Sequence, residues 1–156
     1  MMVLSMVPAT AFAAKDAGTP PTYNSATGCY EISTPAQLLY LAGKWKDGAP
    51  RDGHYVLTAD IDMTGVKGFK PIASKKDQGF TGTFDGQFHS IKGLRIEYEK
   101  KYAGLFGYVG NQDDQAYIKN VALLDCYVTG QQNVGALAGV NYGTITGCVV
   151  TGEVKC

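Results

Sequence analysis

"NVGALAGVNYGTITGCVV", residues 133–150, decides the fold, because its glycines can be read in two ways. Gly135, Gly139, Gly143 and Gly147 recur every fourth residue among small and β-branched side chains. A G-x-x-x-G series can line the face on which transmembrane helices touch. The same glycines can instead be the corners of a coiled β-strand, where the chain turns sharply or passes close to a neighbouring backbone. Length separates the readings. A spanning helix needs roughly 20 apolar residues, whereas the apolar or small run here covers only 134–140 before Asn141, Thr144 and Thr146 break it. Strands and corners are expected.

Working outward, the stretch has copies. Ile91-Lys92-Gly93-Leu94, Ile118-Lys119-Asn120-Val121 and Ile145-Thr146-Gly147-Cys148 share an I-x-[G/N]-apolar form, their first residues 27 apart each time (118 − 91 and 145 − 118). Ala103-Gly104-Leu105-Phe106-Gly107 matches Gly135-Ala136-Leu137-Ala138-Gly139 in size and order. "CYVTG" at 126–130 and "CVVTG" at 148–152 are 22 apart (148 − 126), which places Cys126 and Cys148 at one position of successive repeats. The offsets differ by five, and the polar "NQDDQ" at 111–115 is expected to bulge between landmarks. A repeat of 22–27 residues built of short strands fits a parallel β-solenoid, an all-β fold whose coils stack roughly 4.8 Å apart. One such repeat cannot bury its own apolar face, so successive rungs must share a core of Val, Ile, Leu and Ala ladders.

Composition agrees. The 156 residues, 45% of them apolar, suffice for one domain with a core. Lys+Arg 14 balance Asp+Glu 14, so charge supplies no case for nucleic acid or an anionic membrane surface as partner. Gly 20 is about 13% of the chain, nearly twice the usual ~7%, and ten Tyr accompany it. Both favour strands with frequent tight turns.

The ends read differently. Residues 1–14, "MMVLSMVPATAFAA", are a short apolar run ending in an A-x-A pattern, and are expected to be the remnant of a secretory signal peptide. Residues 15–28, with Pro20-Pro21, read as a linker. Residues 29–52 are expected to hold a strand and a capping helix, and 53–156 the solenoid rungs. The helix is expected over 35–46: Thr34 is the N-cap, Pro35 the first helical residue and Gln37 the capping-box partner. Leu38, Leu41, Ala42 and Trp45 then form one buried face that can cover the first rung. The terminal "TGEVKC" closes no element, so the sequence is expected to be the N-terminal piece of a longer protein, truncated within the solenoid and marginally stable alone.

At "VGALAGVNYGTITGCVVTGEV" the chain resembles the GLUG repeat of bacterial surface proteins, G-G-L-V-G-x-N-x-G-x-I-x-N-C-x-x-x-G-x-V. Gly135, Leu137, Gly139, Asn141, Gly143, Ile145, Cys148, Gly152 and Val154 match; Ala136 replaces the second glycine and Gly147 the usual Asn. Gly104, Leu105, Gly107 and Ile118 are the landmarks of the preceding copy. "ISTPAQLLYLA", "YVLTADIDMTG", "FTGTFDGQFHSIKGLRI" and "AGLFGYVG" are similar to the leader before such repeats, so the resemblance covers roughly 30–156. It implies a right-handed parallel β-helix on secreted or wall-attached proteins of Gram-positive bacteria, some adhesin-like and some carrying a metalloprotease. No H-E-x-x-H motif occurs in this chain.

Candidate chemistry is sparse. Asp60 and Asp62 in "ADIDM" are two apart and share one strand face, where paired carboxylates can bind Ca²⁺ or act as acid and base on a glycan. The structural alternative, satisfaction of backbone amides at a rung edge, is favoured. Asp85 precedes Gly86 as a turn residue. His54 and His89 share no ligand spacing with Cys29, Cys126, Cys148 or Cys156. Lys75-Lys76 and Lys100-Lys101 can form a patch for anionic glycans, and Tyr98, Tyr102, Tyr108 and Tyr117 a stacking face for sugars. Cys126 and Cys148 are expected to be reduced, since side chains stacked in parallel seldom reach disulfide torsions. The expected protein is a non-catalytic secreted or cell-surface scaffold or adhesive element. It has no cofactor, catalytic residue or transmembrane segment, and cell-wall or host glycans or proteins are its partners. The alternatives are a glycan-acting enzyme using Asp60 and Asp62, or the front of a larger surface metalloprotease.

Overall fold

The structure, a computed structural model, describes residues 18–43, 45 and 48–156. The expected signal peptide at 1–14 lies outside the described residues. The rest is a parallel β-solenoid with one short helix. Its first sheet contains β1 (Thr22–Asn24), β2 (Cys29–Ile32), β3 (His54–Leu57), β5 (Thr83–Asp85), β9 (Tyr117–Lys119) and β12 (Thr144–Thr146). The second contains β4 (Ile61–Asp62), β6 (Ser90–Lys92), β10 (Ala122–Val134) and β13 (Val149–Lys155), with β7 (Arg95–Ala103) also paired to β10. On the third face β8 (Phe106–Val109) pairs with β11 (Ala138–Asn141), and Ile72 bridges Phe106 from the circuit before. Three full circuits result: β3–β4–Ile72, β5–β6–β8 and β9–β10–β11.

Parallel register turns alternating sequence into ladders. On the first sheet Tyr30, Tyr55, Phe84, Ile118 and Ile145 stand one above another. On the second, Ile61, Ile91, Leu123 and Val150 do so, beside Ile96, Val128 and Val154. Phe106 and Ala138 continue the third from Ile72. Rings thicken the early circuits: Phe80 lies 5.0 Å from Phe106, which meets Phe84 edge-on at 5.3 Å. Aromatic pairs of this geometry add roughly 0.5–1.5 kcal/mol beyond their buried area.

The repeat landmarks mark corners. Asn120 (φ 55°) and Gly147 (φ 63°) occupy equivalent left-handed positions between the first and second sheets, which is why Gly and Asn alternate there. Ile118 pairs with Ile145 as the 27-residue spacing predicts. Ile91 does not belong to that series. It pairs with Leu123 on the second sheet, and Phe84 is the rung partner below Ile118. Gly93 (φ 69°) makes a different corner with the same local conformation, so the shared string reflects a shared turn and not a shared place. The cysteine register also differs from expectation. Cys126 lies opposite Gly152, and Val128 opposite Val154, an offset of 26 (152 − 126, 154 − 128) and not 22. The register shifts between Leu123 and Cys126, where Asp125 takes φ 52° and its N–H donates to Thr151 Oγ1 at 2.9 Å. That bulge absorbs the mismatch, and Cys148 follows the Gly147 corner instead.

The N-terminal end is closed in two ways. Thr22–Asn24, inside the stretch expected to be linker, forms β1 and runs antiparallel on β2, the Tyr23 and Tyr30 rings 4.9 Å apart. The helix α1 spans Pro35–Tyr40 and not 35–46: past Leu41, Ala42 and Gly43 (φ 83°) bridge to Ile72, so the chain has already returned to strand. Thr34 Oγ1 accepts the Gln37 N–H at 3.2 Å, while Gln37 Oε1 accepts from the Ser33 N–H at 2.8 Å, one residue upstream of an ordinary capping box. Leu38, Leu39 and Leu41 enter the common core, and Trp45 stacks near Phe80 at 6.1 Å.

Candidate functional site

Asp60 and Asp62 flank buried Ile61 and both face outward, as their spacing predicts. Each carboxylate is engaged by backbone. Asp60 Oδ1 accepts the Ser90 N–H at 2.8 Å and approaches His89 Nδ1 at 3.2 Å, tying one rung to the next. Asp62 Oδ1 accepts the Thr64 N–H at 2.9 Å and starts the following turn. The Ser90 bond, then His89, hold Asp60 below the usual carboxylate range, and Thr64 does the same for Asp62. Groups held ionised in this way do not donate a proton near neutrality. Among the described residues no three His, Cys, Asp or Glu side chains converge as a metal site.

Asp85 is a cross-rung tie of the same kind. Burial opposes its charge, but the Gln87 N–H (2.9 Å), Asn120 Nδ2 (3.2 Å) and Lys119 Nζ (3.4 Å) outweigh that and keep its pKa low. His54 lies on β3, away from the Asp60–His89 contact before β6. All four cysteines are free thiols, and burial pushes the buried Cys126 thiol up, which makes it unreactive. The repeat landmarks Gly104, Leu105, Gly107, Gly135, Leu137 and Gly139 sit where β8 and β11 stack. A Cβ on Gly139 would stand 2.6 Å from Asn133 O and 2.8 Å from Tyr102 Cα, and one on Gly143 would strike Ala116 O. Their spacing therefore reports close backbone passage between rungs, not a helix face.

The tyrosines do not form one face. Tyr102, Tyr108 and Tyr142 cluster at 5.5 and 5.7 Å between neighbouring rings, whereas Tyr117 lies on the first sheet with its hydroxyl on Gln115. Tyr98 lines a groove of about 860 Å³ with Lys70, Lys75, Glu97, Glu99 and Lys100. Ala42 and Gly43 after α1 and Thr129 of β10 border it, and two segments supply its charged side chains. The segment between β4 and β5, pinned by the Ile72 bridge, supplies Lys70 and Lys75. The long β7, held on β10 through Tyr127–Val134 with a bulge after Gly130, supplies the other wall. Lys75 and Lys100 thus meet in one place, while Lys76 and Lys101 do not line it. Lys70 and the two glutamates escape sequence reasoning; the alternating charge of "RIEYEKK" at 95–101 is their visible trace.

No family model matches the chain. Over 135 residues, 80% of its length, the chain is 35% identical to halomucin of Haloquadratum walsbyi, of which it spans 1%. Over 125 residues, 74% of its length, it is 35% identical to a protein of Evansella cellulosilytica provisionally named a Gly-rich membrane protein, of which it spans 14%. Both curated relatives are thus far longer than the stretch they share with it. The crystal structure of a protein from Bacteroides ovatus, provisionally named an immunoglobulin A1 protease, superposes with a TM-score of 0.65 and 21% identity, over 85% of this chain and 40% of that one. At that identity the likeness is one of fold: the chain shares the β-solenoid of that protein.

Proposed function

We propose that the chain is a structural and adhesive β-solenoid module displayed outside the cell, within a GLUG-like repeat region. The observation that carries this reading is the stack itself. Ladders run through three circuits to a last rung whose β13 pairs with β10 on one edge and with no described strand on the other. Such a stack sets distance and presents surface. The candidate carboxylates serve it, Asp60 by bonding to the next rung at Ser90 and Asp62 by starting the turn at Thr64. The relatives, one named halomucin and one a Gly-rich membrane protein, support a surface-associated place. No helix among the described residues is long and apolar enough to cross a membrane. The fold shared with the Bacteroides ovatus protein supports the solenoid and carries no protease chemistry over.

Antibody raised against the chain should label intact cells of the source organism without permeabilisation. Labelling only after permeabilisation would overturn the surface role. The glycan-enzyme alternative has its own trial: reducing ends released from a polysaccharide panel, and abolished by Asp60→Asn, would replace the scaffold reading.

A further inference from the structure

We propose that the groove between the β4–β5 segment and β7 is a binding site for acidic saccharides of the hexuronate type. Three lysines, Lys70, Lys75 and Lys100, line a space of about 860 Å³, and among the described residues none of them has an ion-pair partner. Unpaired lysines gathered at one concavity repel one another, and a bound carboxylate relieves that repulsion. Of the two glutamates there, Glu97 is already paired with Arg95 Nη2 at 2.6 Å, which leaves Glu99 as the one carboxylate opposing the three cations. The groove is therefore locally basic on a chain of zero net charge.

The remaining lining narrows the ligand class. Tyr98 is half-buried, packed against the core while also lining the groove, where the part of its ring left exposed can meet a sugar ring, and Ser74 and Thr129 bring hydroxyls. Glu99, and Glu97 through the oxygen that Arg95 leaves, can accept hydrogen bonds from sugar hydroxyls, which a hydroxyl-free polyanion does not offer. A ligand carrying both carboxylates and hydroxyls satisfies every group in the groove. Neutral sugars leave the lysines unanswered, and inorganic polyphosphate offers no hydroxyl to the glutamates and no sugar ring to Tyr98. The walls are set by backbone: Lys70 lies along Gly43, its Cδ 3.9 Å from where a Cβ would stand, and β7 is locked to β10 by paired strands.

This deepens the adhesive side of the reading above and rests on it. Calorimetric titration of the full 156-residue chain should show saturable binding of tetragalacturonate and none of maltotetraose. Lys75→Gln with Lys100→Gln should weaken that binding about tenfold or more, as expected for lost charge-assisted hydrogen bonds. Both side chains are exposed, so the melting temperature should not move; the single Lys100→Gln gives an intermediate loss should the double variant fold poorly. Lys67→Gln, outside the groove, should bind as the unaltered chain does. The proposal falls if tetragalacturonate does not bind, if the double variant binds within twofold of the original, or if maltotetraose or inorganic polyphosphate binds as tightly. Failure here with intact-cell labelling retained would remove the ligand and leave the surface role standing.

Discussion

Leu123 and Val150 hold the same place in one ladder, a single rung apart, yet Leu123 is fully buried and Val150 is 41% exposed. The neighbouring ladder repeats the contrast, with Val128 buried and Val154 44% exposed. On the first sheet Ile118 is buried and Ile145 only partly so. Nothing in the residue types explains this, since every one is aliphatic. The environment of a solenoid residue depends on whether a rung lies on both sides of it. At the N-terminal end β1 pairs on β2, and Leu38, Leu39 and Leu41 enter the common core. The two ends show that sequence pattern alone does not bury a side chain; stacking does.

The largest test substitutes both members of the pair. Leu123→Ala should cost about 3 kcal/mol in urea unfolding, and Val150→Ala less than about 1 kcal/mol, because only the first leaves a sealed cavity. Equal costs would break the comparison. Gly139→Val should follow at about 2 kcal/mol, since its side chain would push into the backbone at Asn133 and Tyr102. A variant as stable as the original would mean that the third circuit sits more loosely than its registers imply. Asp85→Ala removes a partly exposed carboxylate with three partners and should cost about 1 kcal/mol, discounted because Lys119 is half-exposed.

Asp85 also fixes the sign of the acid response. Its folded-state pKa lies below the unfolded value, so its stabilisation is complete above the ordinary carboxylate range and is lost as pH falls through the folded value. Stability measured from pH 6 to pH 2 should therefore drop less in Asp85→Ala than in the original chain, and parallel curves would refute the tie. The smallest effect belongs to Asp60→Asn. Asp60 is solvent-exposed, and the amide oxygen can still accept from Ser90, so the melting temperature should shift less than in Asp85→Ala. A larger shift would make the exposed ties as important as the sheltered ones.

Much of this architecture was legible in short strings. The I-x-[G/N] strings were legible as repetition, and in the structure Gly93, Asn120 and Gly147 each make a left-handed corner. The small-small-Leu pattern before β8 and β11, Ala103-Gly104-Leu105 and Gly135-Ala136-Leu137, predicts matching copies, and Phe106 indeed pairs with Ala138. The strings misled where two different corners look alike. Ile91 imitates Ile118, and Cys148 imitates Cys126, although each belongs to a different position in the coil. The helix ended early for a related reason: its apolar period continues to Trp45, but the bridge from Gly43 to Ile72 takes precedence. The groove was half-visible, as Lys75, Lys100 and Tyr98, and its companions were not.

By itself the sequence determined what is local: which residues can turn left-handed, which segments alternate, where a helix can start, and that the unit repeats. Those properties depend on neighbours within a few positions, and the chemistry of each residue is enough to read them. Tertiary structure alone decided register, burial at the ends and the meeting of Lys70, Lys75 and Lys100. The two segments that supply them are joined only by the count of residues in each circuit, and that count varies: 29 from Tyr55 to Phe84 (84 − 55), 34 from Phe84 to Ile118 (118 − 84) and 27 from Ile118 to Ile145 (145 − 118). Bulges and loops of different length absorb the differences, so which side chains face one another is settled by backbone pairing across circuits, which no local pattern encodes.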